Sequence, residues 1–271
     1  MPNAGRAVPA VPLDDPAELY HEASKLDPAL AALQLADLRR FAAEPALREA
    51  AERPVRRHPW HDRIALPEPA WPDTPLRDAV RARRSTAELG GGVLRLPELA
   101  LLLAAAFGVT GTIEGPAGGA IPVRAAPSGG GLYPLDVYVL PLRCEGLAPA
   151  VHLYDPERSE LEVVPGPLDA DALAASLYQQ EIPRSAAVVV AVVGVFARSR
   201  VKYGLRAYRH VLLEAGHAVQ GALLAAAAAG LTALPVGGVI DRRLEQLLAV
   251  DGLHESLVHA FAAGCTPREE A

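Results

Sequence analysis

Three observations predict an α+β domain with a central mixed or antiparallel sheet flanked by helices. Helical and strand-like segments are interspersed without a regular βαβ rhythm. The stretch VHLYDPERSELEVV at 151–164 reads as a hairpin, and AAVVVAVVGVF at 186–196 is a continuous apolar run of strand length. Such a run suits a central strand buried on both faces.

The first stretch reads as an N-terminal extension over residues 1–72 laid over a main domain at 73–271. Within it ELYHEASKL and ALAALQLADLRRFAA carry helical periodicity, and RPVRRHPWHDRIALPEPAWP is a polar, Pro-rich connector. Thr74 and Pro75 supply an N-cap and first helical position for LRDAVRARR, and Pro97 opens a second helix, PELALLLAAAFG. A Gly-rich passage from Gly108 to Gly131 leads into LDVYVLPL, an alternating strand. Residues 168–179 read as helical. YRHVLLEAGHAVQGALLAAAAAG is a long helix whose alanines let it sit deep, closed by Gly230. Asp241 caps one more short helix, and SLVHAFAAG is a last strand.

Composition narrows the function classes. The chain has 271 residues, 51% hydrophobic but only 5% aromatic, so Ala, Val and Leu must build the core and further burial is expected between subunits. A net charge of -6 leaves no basic footprint for phosphates, and nucleic acid is not expected as a partner. The uncharged run at 215–240 is Ala-rich and broken by Gly230, Pro235, Gly237 and Gly238, which fits a buried helix and turn rather than a membrane span. No export signal is expected, since prolines and acids occupy the opening residues. Cys144 and Cys265 form no C-x-x-C, so neither a metal site nor a disulfide framework is suggested, and a reducing cytoplasmic location fits.

Four groups of residues carry possible chemistry. APSGGG offers backbone N–H groups to a planar ligand, although alone it reads as a surface turn. RARRS at 81–85 ends a helix with three guanidiniums and a hydroxyl, suited to a phosphate, yet alone it reads as a solvated helix end. His210, Glu214 and His217 share a helical face, without the H-E-x-x-H pattern, and read as packed and satisfied polar groups; His58 and His61 in the connector carry less weight still. Lys202 beside Tyr203 is more pointed. The chain has only Lys25 and Lys202, using Arg at every other basic position. Unlike Arg, a buried or cation-crowded Lys can act as a base, and Arg198, Arg200 and Arg206 are near in sequence. An ordinary surface lysine is the competing reading.

In order, YHEASKL, RRS, RAAPSGGGLYPLDVYVL, VHLYDP, VKYGLRAYRHVLLEAGHAVQGALLAAAAAGL, PVGG and FAAG resemble the SagB-type dehydrogenases of the nitroreductase superfamily, across most of residues 16–264. The resemblance implies a nitroreductase-like α+β flavoenzyme that binds FMN at a homodimer interface. It implies oxidation of thiazolines or oxazolines in a peptide to thiazoles or oxazoles, as in the biosynthesis of ribosomally made natural products. By position, Arg83 and Ser85 would hold the FMN phosphate and ribityl chain, with Arg84 beside them. Pro127, Ser128, Gly129 and Gly130 would line the isoalloxazine across the dimer interface. Pro235, Val236, Gly237 and Gly238 match the turn that presents N–H groups near flavin N5, and the family's Lys-Tyr motif falls on Lys202 and Tyr203. One departure is Ala87, where related sequences often carry a basic residue; Arg268 is the candidate replacement.

On this reading Lys202 takes the Cα proton of the azoline, Tyr203 orients or relays it, and FMN accepts the hydride. A cyclodehydratase acting on Cys, Ser or Thr makes such substrates, so it is the expected partner, with residues 1–72 as a contact surface. Two alternatives stay open: an NAD(P)H-dependent nitro or quinone reductase of the same fold, and a non-catalytic subunit of a biosynthetic complex.

Overall fold

The apolar run around residue 190 becomes the middle of a large sheet because helices and loops cover both of its faces. In a computed structural model of the chain, residues 15–28, 35–51, 56–114 and 120–267 are described. In chain order the elements are α1 (Pro16–Ala23), α2 (Ala36–Ala43), α3 (Pro45–Ala51), β1 (Arg63–Ala65), α4 (Leu76–Ala82), α5 (Leu96–Phe107), β2 (Val109–Glu114), β3 (Ala120–Arg124), β4 (Leu135–Pro141), β5 (Ala150–Asp155) and β6 (Glu160–Pro167). There follow α6 (Ala170–Ala175), α7 (Ile182–Ser185), β7 (Val188–Val195), α8 (Phe196–Tyr203), α9 (Ala207–Ala228), β8 (Thr232–Pro235), α10 (Asp241–Leu247) and β9 (Glu255–Gly264). The sheet order is β1-β6-β5-β4-β7-β9-β8, and every pairing in it is antiparallel.

Alternation along the strands divides the core in two. Val137, Val139, Val188, Val190 and Val192 face α5 and α9, whereas Tyr138, Leu140, Val189, Ala191 and Val193 face the layer of α6, α7 and α10. Both layers are apolar, so β7 shows no polar alternation. Small residues let the helices approach closely: a Cβ at Gly221 on α9 would lie 2.6 Å from the Ala105 carbonyl oxygen of α5. The stretch Phe196–Ala228 has the length and hydropathy to cross a membrane, but half of its most apolar window is buried inside this core.

Several local expectations change. Thr74 does not cap α4; its hydroxyl donates to the Ala228 carbonyl at 2.8 Å, and Pro75 takes the cap position. Gly230, left-handed at φ +70°, follows the α9 cap at Ala229, and Ile240 precedes Asp241 as the cap of α10. The Gly-rich passage contains an exposed two-stranded ribbon, β2 with β3. Its strands were illegible because neither has a buried face to impose alternation. The connector of the N-terminal extension contributes β1, which hydrogen-bonds to β6 as the seventh strand of the main sheet, so chain before residue 72 is part of that sheet.

Charge fastens that connector. Asp136, Asp155 and Glu162 are buried on the neighbouring strands β4, β5 and β6, where an unpaired carboxylate is strongly disfavoured. Consecutive residues of the connector meet them. Arg56 Nε lies 3.2 Å from Asp136 Oδ2, Arg57 Nε donates to Asp155 Oδ2 at 2.6 Å, and His58 pairs with Glu162. Arg56 also pairs with Glu255 on β9, and Arg198 on α8 donates to Asp136 Oδ1 at 2.6 Å. Asp136 thus joins the connector, the sheet and α8.

Asp136→Asn should leave Arg56 and Arg198 facing a neutral amide and lower unfolding stability by about 3 kcal/mol. The check is a drop in urea midpoint with an unchanged denaturant slope.

Candidate functional site

The sheet carries two clusters of the expected residues, at opposite ends. One forms where β7 runs into α8. Pro127–Gly130 lies in the loop before β4, and Gly130 is left-handed at φ +68°. A Cβ on Gly130 would fall 2.5 Å from both Lys202 Nζ and Tyr203 Oη, so the loop rests on this pair, and its positive φ favours glycine there. Lys202 Nζ stands 5.2 Å from the centre of the Phe41 ring and 5.3 Å from that of Tyr203. Tyr203 in turn packs on His210 at 4.9 Å. Phe41, on α2, is a site residue that sequence reasoning missed; no motif marks it, and only the packing of α2 on α8 brings it there.

The cation crowding expected around Lys202 does not form from Arg198 and Arg206. Arg198 is committed to Asp136, and Arg206 donates to the Ser24 carbonyl at 2.9 Å. Each guanidinium has a nearer acceptor supplied by tertiary packing, which sequence proximity conceals. The rings of Phe41 and Tyr203 flank the Lys202 amino group.

Glu214, one turn beyond His210 on α9, is buried beneath the same loop. Its carboxylate accepts hydrogen bonds from the Ser128 side chain and the Gly129 N–H, but burial outweighs these and pushes its pKa up to about 7. Oε2 has no partner. Opposite lies the buried Arg124 guanidinium, 4.4 Å above the Tyr133 ring, with Nε and Nη2 also unpartnered and its pKa lowered by burial. These groups line a small cleft together with Phe107 and Ala126. The sequence reading of this stripe as satisfied polar groups is therefore corrected at Glu214. The available signal was a carboxylate between Val211, Ala215 and Ala218 on the apolar side of a helix. Burial likewise lowers the pKa of His210, with Arg206 adding to the effect.

The second cluster borders β8. Arg83, half-buried, donates from Nη1 to Ser85 Oγ at 3.3 Å, and Ser85 forms a parallel bridge with Ala233. Arg84 folds back, donating to the carbonyls of Arg81 and Arg83 at 2.7 and 2.8 Å. Pro235, Val236, Gly237 and Gly238 continue from β8; Gly237 and Gly238 are exposed, and Gly238 accepts from the Tyr178 N–H at 2.9 Å. Arg268 lies outside the described residues.

Register measures the separation. Ser85 is level with Ala233, Ala263 and hence Val188, while Leu135 faces Gly194 and α8 begins after Val195. Seven strand residues correspond to about 23 Å. Within one chain the arginine-serine cluster and the lysine-tyrosine cluster do not meet.

The sheet, its two helical layers and the glycine-rich loop define a nitroreductase-like α+β fold. The profile of the Nitroreductase family matches residues 80–265, and the chain belongs to that family of oxidoreductases. A curated relative from Methanocaldococcus jannaschii, MJ1384, which carries a nitroreductase name, is 30% identical over 175 residues, covering 65% of this chain and 84% of its own. A crystal structure of a nitroreductase-named protein from Anabaena variabilis superposes with a TM-score of 0.69 at 26% identity, covering 91% of this chain. This chain spans only 45% of that protein's length. A chain of the E. coli microcin synthetase McbBCD complex, solved with truncated pro-MccB17 bound, shares the fold with a TM-score of 0.56 at 21% identity, over 93% of this chain and 92% of that one.

Glu214 generates a pH prediction. Because its folded pKa is raised above the unfolded value of 4.5, the native state holds an extra proton between about pH 4.5 and 7, and stability falls as pH rises through that window. The loss is about 3 kcal/mol in all. Glu214→Gln should flatten this slope, seen by thermal melts from pH 5 to 8.

Proposed function

We propose that this chain is an FMN-dependent dehydrogenase that oxidises peptide-borne thiazolines or oxazolines to thiazoles or oxazoles. The observation that carries the reading is the convergence of Lys202 Nζ and Tyr203 Oη on Gly130. Reducing a nitro group or quinone needs no base beside the flavin, whereas aromatising an azoline requires a group that removes the ring's Cα proton. Lys202 is the side chain placed to take that proton, with the Tyr203 hydroxyl beside it. Phe41 and the Gly129–Gly130 backbone limit water around it.

The residues present fit a flavin mononucleotide. Arg83 and Ser85 form a donor pair for a phosphate, with Arg84 at the same helix end. The open backbone at Gly237 suits close approach of a planar ring, while Tyr178 packs over Gly238. Held there, FMN would supply the two-electron acceptor for the hydride lost from azoline Cβ, which balances the oxidation.

The placement of the two clusters toward opposite ends of β7, a strand about 23 Å long, supports a homodimer in which the phosphate-side residues of one protomer face the Pro127–Gly130 loop of its partner. An exposed apolar strip formed by Leu205, in the turn before α9, with Tyr208, Leu212 and Leu213 on α9 supplies a surface for that association. The microcin synthetase chain of the same fold belongs to a complex solved with truncated pro-MccB17 bound, which fits a peptide-borne substrate here. A cyclodehydratase is the proposed partner, with residues 1–72 as its contact surface.

Two experiments test the reading. Lys202→Ala should keep bound FMN and lose at least about a hundredfold in azoline oxidation, followed as a two-hydrogen mass loss per ring. Full retained oxidation overturns the base assignment, and NADPH consumption with a nitroarene but no aromatisation overturns the dehydrogenase. Leu213→Glu should convert a dimer to a monomer in light scattering and release the flavin. A wild-type monomer retaining FMN overturns the shared site.

A further inference from the structure

We propose that His58, His61 and Glu162 form a binding site for one divalent transition-metal ion, zinc being the best match, where the connector crosses the sheet edge. One potential ligand atom from each of these residues lies within 4.8 Å of the other two. Glu162 is on β6 and His58 and His61 precede β1, so the three are united only by folding.

The carboxylate is divided between two tasks. Oε2 accepts the His58 backbone N–H at 2.9 Å and faces Arg63 Nη2 at 3.4 Å. Those donors fix the orientation of the carboxylate from behind, as outer-sphere partners of metal ligands do. Oε1 faces two imidazole nitrogens instead: His61 Nδ1 at 3.0 Å and His58 Nδ1 at shorter range. The two rings stack with centroids 4.7 Å apart, directing both Nδ1 atoms to one oxygen.

Three lone-pair-bearing atoms converging on one point need protons or a cation between them. Two imidazoles and one carboxylate are the donors that zinc accepts at about 2.0–2.2 Å, whereas magnesium and calcium prefer oxygen alone. Arg63 does not occupy the place of the ion, because its contact is with the other oxygen. Glu162 is buried and His58 half-exposed, so a fourth position opens toward solvent for water. A bound ion would clamp the connector to β6 beside the Arg57–Asp155 pair. Its role is structural and independent of the azoline reading.

The test uses the tag-free full chain, stripped with chelator and then loaded with Zn2+ or Co2+. One equivalent of zinc should survive gel filtration, the melting temperature should rise on loading, and Co2+ should give the visible bands of four-coordinate geometry. His58→Ala/His61→Ala should bind at least about tenfold more weakly, while His254→Ala, at an exposed histidine paired with Asp251, should retain the ion. Equal zinc binding by the double variant and the wild type overturns the site. So does the absence of four-coordinate Co2+ bands in the wild-type chain, which decides the matter even if the double variant does not fold.

Discussion

The row of buried carboxylates on β4, β5 and β6 governs how the parts of this protein fit together. Asp136, Asp155 and Glu162 cannot remain buried as anions without partners. The connector answers with Arg56, Arg57 and His58 in succession. Each additional contact extends the arrangement: Asp136 reaches Arg198 at the start of α8, and Arg56 reaches Glu255 on β9. The helix bearing Lys202 is therefore fixed to the same anion that anchors the connector. Folding of the sheet edge and placement of the candidate catalytic pair are one electrostatic problem.

A second constraint is small size. With few aromatic residues, the core depends on Val and Ala packing at short range, visible where α5 and α9 approach at Gly221. The same economy appears at Gly130, where a missing side chain makes room for Lys202 and Tyr203. Below the loop, Glu214 holds Ser128 and Gly129 yet leaves one oxygen unpartnered beside a buried arginine. This raised-pKa carboxylate lies beneath the loop that also contacts Lys202 and Tyr203. The arginine-serine cluster and the lysine-tyrosine cluster lie toward opposite ends of the same sheet.

Much of this was legible beforehand. The long apolar run announced β7, the hairpin at 151–164 announced β5 and β6, and the alanine-rich segment announced α9. The glycine loop and the Lys202–Tyr203 pair, both marked in the sequence, lie together, and the Arg-Arg-Ser helix end lies beside Ala233. Less visible were the β2–β3 ribbon, which buries neither face, and Phe41, which reaches the site only through helix packing. The arginines near Lys202 misled for the same reason: neighbours in sequence point to different acceptors once Asp136 and Ser24 arrive.

Hydrophobic periodicity and turn chemistry are local, and the sequence by itself determined the α+β class, the main elements and the family resemblance. Pairing between distant charges is not local. Only the tertiary structure decided that the connector supplies a strand of the sheet, that His58 and His61 meet Glu162, that Glu214 is buried short of a partner, and that the expected cofactor residues lie at opposite ends of one chain. Burial and strand register set those outcomes, and both depend on residues brought together from far along the chain.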